Sequence, residues 1–244
     1  MNLVIDIGNT LTKVAVFSNN QIVFNNNYDS LTVNQLKDLL NRFNIASSIL
    51  SEVKNFENEL EKILEQETKF IKLNQITKLP FNNKYTTPKT LGKDRIAVIS
   101  AASKLFPNTN VLVIDIGTCI TFDLIDSSNS YNGGAISPGL EMRLKALEHF
   151  TGKLPAIKID KTETPDLIGD STENSIKSGV YYGVKAEIEG VINAYEEQYN
   201  ELKIVITGGN AERFDIAAKN RIFADKFFVM KGLNEILKEN AKNQ

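Results

Sequence analysis

Two short segments of the sequence each place an aspartate and a glycine directly after an apolar run. Residues 4–17 read VIDIGNTLTKVAVF and residues 113–126 read VIDIGTCITFDLID, so five consecutive residues are identical in the two segments. An aspartate at the end of a buried strand costs free energy unless a cation or hydrogen-bond donors face it. The glycine after it lets backbone amides approach phosphate oxygens closely. Two such turns therefore predict a site for the phosphates of a nucleotide and for Mg²⁺, as phosphoryl transfer requires.

This repeat has a structural alternative, since two similar buried strands would also share Val and Ile. Buried strands alone do not require an aspartate and a glycine at the same place before the same turn, and the repeat also aligns Thr12 with Thr121. These matches favour the functional interpretation. The sequence contains neither G-x-x-x-x-G-K-[ST] nor G-x-G-x-x-G, so P-loop, dinucleotide-binding and protein-kinase sites are not predicted.

Strands and helices alternate in both halves of the chain, which predicts an α/β fold. Strands are predicted over residues 3–7, 11–17, 21–26, 45–50, 69–73, 111–116, 119–126, 131–137 and 203–207. Helices are predicted over residues 32–43, 55–67, 93–106, 140–149, 173–199, after Gly209 to about Lys219, and 232–241, with a loop over 77–90. Because the pattern starts again after Pro107, two domains are predicted, residues 1–107 and residues 108–244.

The composition is that of an ordinary globular protein, with 42% hydrophobic and 24% charged residues. The net charge is −2 and no basic stripe is present, so no nucleic-acid partner is expected. No apolar run approaches the ~20 residues that span a bilayer, so no membrane partner is expected either. The single cysteine excludes an internal disulfide and fits a reducing compartment. The first residues lack the pattern of a signal peptide, and we expect a cytoplasmic location.

The two Asp-x-Gly hairpins and a late strand that ends in Gly208-Gly209 resemble the acetate and sugar kinase, Hsp70 and actin superfamily. The resemblance implies two duplicated ribonuclease-H-like (actin-like ATPase) domains with a nucleotide cleft between them. Within this superfamily the sequence is similar to type III pantothenate kinases, which use ATP to phosphorylate pantothenate in the first step of coenzyme A biosynthesis. Five segments carry this similarity in the same order along the chain: Asp6-Ile7-Gly8-Asn9-Thr10, Gly92-Lys93-Asp94-Arg95, Asp115-Ile116-Gly117-Thr118, Gly133-Gly134-Ala135-Ile136-Ser137-Pro138-Gly139 and Gly169-Asp170-Ser171-Thr172.

The resemblance implies a set of residues that bind ATP and its ions. The ATP and phosphate set is Asp6, Ile7, Gly8, Asn9, Thr10, Leu11, Thr12, Lys13, Thr118, Gly208 and Gly209. Asp6 would orient Mg²⁺, directly or through its water shell, although it could instead be a turn cap. Lys13 would contact phosphate or would be an outward residue of the second strand. Asp115 would bind a monovalent cation, K⁺ or NH₄⁺, although the residues alone do not distinguish these ions from Mg²⁺.

The same resemblance implies a pantothenate site formed by Tyr85, Gly92, Lys93, Asp94, Arg95 and Thr172. Asp94 would be the general base, which orients the substrate hydroxyl and accepts its proton late in a loose transition state. It could instead be an acidic residue that complements the dipole at a helix N-terminus. Arg95 would bind the substrate carboxylate through two parallel hydrogen bonds, whereas Tyr85 and Thr172 would donate single hydrogen bonds or be ordinary surface residues.

Two other functions fit the same residues: another small-acid or sugar kinase of the superfamily, or a non-catalytic regulator that keeps the fold. The resemblance also implies a homodimer whose second domains pair through the helix at 173–199. This helix carries an apolar stripe, formed by Val180, Val184, Ile188, Val191, Ile192 and Tyr195. The stripe could instead pack on the sheet of its own domain.

Overall fold

The computed structural model describes residues 1–8, 11–52, 58–216 and 222–241. The chain divides into two compact units. The first unit contains Met1–Pro107 and Phe227–Gln244, and the second contains Asn108–Lys226. Within the described ranges, no helix is both long enough and apolar enough to cross a membrane.

Nine strands of the described residues follow the predicted order along the chain, and two short ones, Asn82–Asn83 and Ile222–Ala224, were not predicted. They are β1 (Asn2–Ile7), β2 (Thr12–Ser18), β3 (Gln21–Tyr28), β4 (Ser47–Glu52), β5 (Lys69–Lys72), β6 (Asn82–Asn83), β7 (Val111–Ile116), β8 (Cys119–Ile125), β9 (Ser130–Pro138), β10 (Lys203–Thr207) and β11 (Ile222–Ala224). The helices are α1 (Val33–Arg42), α2 (Asn58–Glu67), α3 (Lys93–Leu105), α4 (Leu140–Phe150), α5 (Thr172–Gln198) and α6 (Phe228–Ala241), with short 3₁₀ turns at Pro88–Thr90 and Ala211–Arg213.

The sheet of the first unit has the strand order β3-β2-β1-β4-β5. Strands β1, β2 and β3 pair antiparallel, whereas β1, β4 and β5 pair parallel. Because side chains alternate along a strand, each strand contributes to both faces of the sheet. One face carries Leu3, Ile5 and Ile7, which share a core with residues of α1 and α2.

The second unit repeats this arrangement. Its strands β9, β8, β7, β10 and β11 lie in that order, with the first two pairings antiparallel and the last two parallel. Each strand thus has a counterpart at the same place in the first sheet. The repeated order confirms the predicted α/β fold built from two duplicated domains.

Helix α6 corrects the domain assignment of the last residues. Residues 227–244 were predicted to belong with the second domain, but α6 packs against α3, β1 and β4 of the first unit. Its Gly232 lies so close to α3 that a Cβ atom there would be 1.7 Å from the carbonyl oxygen of Ala97. Sequence periodicity identifies a helix, but it does not show which sheet the helix covers.

Three local predictions also differ from the structure. The helix predicted after Gly209 is a 3₁₀ turn, Ala211–Arg213, followed by non-helical residues 214–216, and the rest of that prediction lies outside the described residues. The loop predicted over 77–90 contains β6 and a 3₁₀ turn. Helix α6 begins four residues earlier than predicted, at Phe228. Only the start of α6 is an error at an element end, where short-range sequence signals are weakest. The other two errors concern short segments in which apolar periodicity is a weak signal.

The apolar stripe of α5 packs inside its own unit. Val180, Val184, Ile188 and Ile192 are buried in the core of the second unit, and the other two stripe residues pack against that core. The interpretation of this stripe as a subunit interface is therefore wrong. The alternative, that it packs on the sheet of its own domain, is correct.

Candidate active site

Asp6 lies next to the carboxyl end of β1, between two polar neighbours. It is opposite Lys13 of β2 in the antiparallel pair and beside Ser51 of β4 in the parallel pair. Residues that are paired in this way project from the same face of a sheet. Ser51 donates a hydrogen bond to the Asp6 carboxylate, and Lys13 is close enough to act on its charge. The register therefore places Lys13 beside Asp6, on the side of the predicted phosphate site.

The electrostatics of Asp6 favour a cation. Burial raises the pKa of Asp6 above its usual range, and the nearby charge of Asp94 raises it further. The charge of Lys13 and the hydrogen bond from Ser51 act in the opposite direction. A nearby negative charge disfavours ionisation of the desolvated Asp6 carboxylate, unless a positive ion lies beside it. The Asp6 carboxylate thus fits a Mg²⁺ ion, which prefers hard oxygen ligands.

The turn after Asp6 is closed by a hydrogen bond from the backbone N–H of Gly8 to the carbonyl oxygen of Leu11, at 3.0 Å. Ile7 is buried in the core, as expected for the last residue of β1. Thr12 is paired with Ile7 and is only 2% exposed, so its side chain lies on the face opposite Asp6 and Lys13. Its predicted role as a side-chain phosphate ligand therefore has no support. The predicted contacts of residues 9 and 10 (Asn9 and Thr10) lie outside the described residues.

Asp94 is in the first turn of α3, which begins after Gly92. Its Oδ1 accepts a hydrogen bond from the backbone N–H of Arg95 at 2.9 Å, and the residue is exposed. A Cβ atom at Gly92 would lie 2.4 Å from this Oδ1, so the glycine leaves room for the carboxylate. The carboxylate thus occupies the position of an acidic residue at a helix N-terminus. Its negative charge also raises the pKa of Asp6.

Four other residues of the predicted pantothenate set belong to the first unit. Gly92, Lys93 and Arg95 are neighbours of Asp94 in the sequence, and Tyr85 contacts Arg95. The guanidinium of Arg95 is buried, and its Cζ is 5.6 Å from the ring centroid of Tyr85. This is the geometry of a cation–π contact, which fixes the two side chains relative to each other. Lys93 lines a pocket of about 470 Å³ together with Leu91 and Ile96.

The second hairpin is one residue shorter than the first. Asp115 of β7 is opposite Thr121 of β8 and beside Thr207 of β10, so Thr121 corresponds to Lys13. The sequence alignment of Thr12 with Thr121 is therefore wrong by one position in the structure. Two threonines and no cationic residue thus occupy these two register positions beside Asp115. Carboxylate and hydroxyl oxygens fit a hard cation of low charge.

The Gly208–Gly209 turn packs directly behind Asp115. Gly208 has φ +103°, and a Cβ atom there would lie 2.4 Å from Asp115 Oδ1 and 2.5 Å from the carbonyl oxygen of Ile116. Only glycine satisfies both requirements. The backbone N–H of Asn210 donates to the same carbonyl oxygen at 2.9 Å. The second unit thus brings together two of the segments predicted to contact ATP.

Thr118 is exposed at the tip of the second hairpin, and its carbonyl oxygen accepts a hydrogen bond from the backbone N–H of Gly139 at 3.1 Å. A Cβ atom at Gly139 would lie 2.4 Å from that oxygen, and one at Gly134 would lie 1.7 Å from the carbonyl oxygen of Phe122. Gly134 and Gly139 of the segment 133–139 thus allow close packing on β8 and on the hairpin tip.

Thr172 is the first residue of α5 and belongs to the second unit, apart in sequence from the rest of the predicted pantothenate set. It lines an open groove of about 830 Å³ between α4 and α5, together with Phe150 and Ile176. Phe150 is 81% exposed, which is unusual for a large apolar side chain.

Ser51 is not among the site residues predicted from the sequence. Its signal was available in principle, because residues at the carboxyl ends of adjacent parallel strands lie at the same edge of a sheet. A serine at the end of the strand predicted over 45–50 was therefore a candidate neighbour of Asp6. The pairing of β4 with β1 was needed to see this.

The chain is similar to known proteins over its whole length. The family model for type III pantothenate kinase matches residues 2–194. Two proteins named type III pantothenate kinase, from Christiangramia forsetii and Phocaeicola vulgatus, are 46% and 43% identical to it. The first alignment covers 98% of this chain and 99% of the relative, and the second covers 99% and 100%.

Solved structures of more distant proteins share the fold. One is a protein from Campylobacter jejuni whose description places it in the Baf family of transcriptional activators, with a TM-score of 0.57, 24% identity and coverage of 98% of this chain and 99% of that chain. Another is component A of (R)-2-hydroxyglutaryl-CoA dehydratase from Acidaminococcus fermentans, with a TM-score of 0.53, 13% identity and 98% coverage of both chains. At these identities the likeness shows the fold alone.

Proposed function

The chain belongs to the type III pantothenate kinase family, and we propose that it transfers the γ-phosphoryl group of ATP to pantothenate. The products are ADP and phosphopantothenate, and the reaction is the first step of coenzyme A biosynthesis. We place it in the cytoplasm, a reducing compartment that suits a chain with one cysteine.

The observation that carries this proposal is the presence of two carboxylates with different surroundings in the first unit. Asp6 is near the carboxyl end of β1, where Ser51 donates a hydrogen bond to it and Lys13 is opposite it in the register. Asp94 is exposed in the first turn of α3, and its charge raises the pKa of Asp6. A phosphoryl transfer needs one acid group for the metal ion and another for the acceptor hydroxyl. Asp6 and Asp94 supply these two groups in one unit.

The first hairpin would hold the phosphates. The backbone amides near Gly8 and the ammonium group of Lys13 would contact phosphate oxygens, and Asp6 would hold Mg²⁺ directly or through water. Bound Mg²⁺ would neutralise charge on the β- and γ-phosphates. Thr118, Gly208 and Gly209 would contact the remainder of ATP.

Asp94 would act on pantothenate. Its exposed carboxylate would accept a hydrogen bond from the substrate's primary alcohol and then take the proton as the new oxygen–phosphorus bond forms. The bond between the γ-phosphorus and its bridging oxygen breaks at the same time, and ADP leaves. Arg95, oriented by Tyr85, would bind the substrate carboxylate, and Gly92 and Lys93 would complete that part of the site.

Asp115 would hold a monovalent cation, K⁺ or NH₄⁺. The support is its pair of neighbours, Thr121 and Thr207, where Asp6 has a lysine and a serine. Carboxylate and hydroxyl oxygens are hard ligands, which suit a cation of low charge.

We also propose that the protein is a homodimer, and that the α4–α5 groove is the interface. Thr172 lines this groove, and Phe150, Leu167 and Ile168 of the same unit are 81%, 68% and 85% exposed. A second copy that covers these side chains would remove a large apolar surface from water. In this arrangement Thr172 would contact pantothenate across the interface.

The test is an assay that couples ADP release to pantothenate, with glucose and acetate as competing acceptors. We expect ADP release that depends on pantothenate, and phosphopantothenate as the product identified by mass spectrometry. Turnover with a sugar or acetate and none with pantothenate would indicate another kinase of the superfamily. ATP binding with no turnover on any acceptor would indicate a non-catalytic regulator.

A further inference from the structure

A network of polar side chains lies behind the Gly208–Gly209 turn of the second unit. Asn210 Nδ2 donates a hydrogen bond to Glu141 Oε2 at 3.2 Å, and Arg213 Nη1 donates to Glu141 Oε1 at 3.1 Å. Both oxygens of one carboxylate therefore hold the segment that follows the turn. Glu141 has no role in the phosphoryl transfer proposed above.

Glu141 belongs to the first turn of α4, and the start of α4 is itself attached to the second hairpin. The backbone N–H of Gly139 donates to the carbonyl oxygen of Thr118 at 3.1 Å. Since a Cβ atom at Gly139 would be 2.4 Å from that oxygen, the two backbones are in contact. The start of α4, which includes Glu141, is thus attached to the tip of the hairpin.

The turn is attached to the hairpin from its other side. The backbone N–H of Asn210 donates to the carbonyl oxygen of Ile116 at 2.9 Å, and that of Ala211 donates to Gly208 at 3.3 Å. Hydrogen bonds and the chain between them thus form a closed ring. It runs from the hairpin to the start of α4, from Glu141 to the Asn210 side chain, and from the Asn210 backbone back to the hairpin. Glu141 supplies the side-chain link that closes this ring.

Arg213 explains why a carboxylate, rather than a neutral acceptor, forms this link. Its side chain is 5% exposed, and its Nη2 donates to the carbonyl oxygens of Ile159 and Asp160 at 2.8 and 3.1 Å. A guanidinium in this environment is stabilised by an adjacent carboxylate. The charge of Glu141 is balanced by Arg213 and is not left to repel the phosphates of a nucleotide.

We propose that Glu141 is a positioning residue for the nucleotide, whose carboxylate holds the Gly208–Gly209 turn at a set distance from Thr118. The two ATP-contacting segments of the second unit would then be in place before ATP binds. Preorganisation of this kind lowers the cost of binding. The inference rests on the proposed function in one respect, because it takes these segments to contact ATP.

The test compares Glu141→Gln and Asn210→Ala with Glu148→Gln, which alters an exposed carboxylate two turns further along the same helix. ATP affinity is measured by calorimetry, KM for each substrate by the coupled assay, and folding by thermal unfolding. We expect Glu141→Gln to weaken ATP binding about tenfold, the scale of a lost charge-assisted hydrogen bond. KM for pantothenate should stay within about twofold of the wild-type value, as should all constants of Glu148→Gln.

Asn210→Ala breaks the same link and keeps the ion pair with Arg213, so it tests the proposal even if Glu141→Gln does not fold. The double variant should weaken ATP binding by less than the product of the two single effects. Unchanged ATP affinity in the folded variants would overturn the proposal, and so would equal weakening of both substrates. If the wild type binds ATP but does not phosphorylate pantothenate, the proposed function fails while the ATP titrations still decide the role of Glu141; if it does not bind ATP, both fail.

Discussion

At the residue scale, burial of Asp6 in the folded protein disfavours the ionised form that its proposed function requires. Burial raises its pKa, so the ionised form that a metal ion requires is the form that the folded protein disfavours. Lys13 and Ser51 reduce this cost, and Asp94 adds to it. Active sites commonly contain such groups, because the surroundings are arranged for a ligand and not for stability alone.

We expect Asp6→Asn to stabilise the protein at neutral pH while lowering activity about 100-fold or more. Folding raises the pKa of Asp6, so protonated Asp6 contributes favourably to the free energy of unfolding. This contribution is complete below the unfolded-state pKa and is lost as the pH rises through the folded-state pKa. The variant should therefore show a higher Tm than the wild type near pH ~7 and a smaller difference near pH ~4, without Mg²⁺. Thermal unfolding at the two pH values measures this, with the exposed Asp29→Asn as control. A lower Tm of Asp6→Asn at both pH values would contradict the expectation.

A second prediction concerns Asp94. We expect Asp94→Asn to lower kcat by about 10²–10⁴-fold, the usual contribution of a positioned general base. ATP affinity should stay close to normal, because the variant keeps the size and the hydrogen-bond acceptor of the side chain. The coupled assay and an ATP titration measure the two quantities, with Asp38→Asn on the exposed face of α1 as a matched control. More than about a tenth of wild-type kcat would show that Asp94 is not the base.

At the element scale, the two hairpins share a motif but differ by one residue in length. That residue shifts the register, so Lys13 stands opposite Asp6 whereas Thr121 stands opposite Asp115. We expect activity to require K⁺ or NH₄⁺ as well as Mg²⁺, because the oxygens of Asp115, Thr121 and Thr207 suit a cation of low charge. Rates in K⁺, NH₄⁺ and Na⁺ buffers at equal ionic strength test this, and Asp115→Asn should abolish the difference between them. Full activity in Na⁺ alone would count against a cation site at Asp115.

The Gly208–Gly209 turn allows a matched pair of substitutions. Gly208→Ala would force a left-handed backbone on alanine and place its Cβ against Asp115, which should cost at least about 1–2 kcal/mol and lower the Tm by about 4 °C or more. No described atom lies within 4 Å of a Cβ atom built at Gly209, so Gly209→Ala should leave the Tm nearly unchanged. Equal Tm values for the two variants would show that the turn is less tightly packed than the structure indicates.

At the scale of the whole molecule, the exposed apolar residues of the second unit are the basis for predicting a dimer. We expect a dimer in sedimentation at low micromolar concentration, and a monomer for Phe150→Glu, which places a charge in the α4–α5 groove. Ile76→Glu is the control, since Ile76 is 92% exposed in the first unit. A fully active wild type that sediments as a single species of 27.2 kDa would contradict the dimer.

The fold class and the motifs of the site are predictable from the amino-acid sequence alone. Alternating strands and helices predicted an α/β fold, and the identical residues 4–8 and 113–117 predicted its duplication. These features are local, because the apolar pattern of a strand and the Asp-Gly turn after it are set by neighbouring residues. The resemblance that these motifs carry is confirmed by the family to which the chain belongs.

Which residues face one another depends on long-range packing and became visible only in the folded chain. The side of the sheet that Lys13 and Thr12 occupy depends on a one-residue register, which reverses every side chain of a strand. The burial of the α5 stripe and the packing of α6 on the first unit depend on which surface each helix covers. Ser51 and Glu141 acquired partners through contacts between residues far apart in the chain. Apolar periodicity records that a face is buried, but the partner that buries it is chosen by the packing of the whole chain.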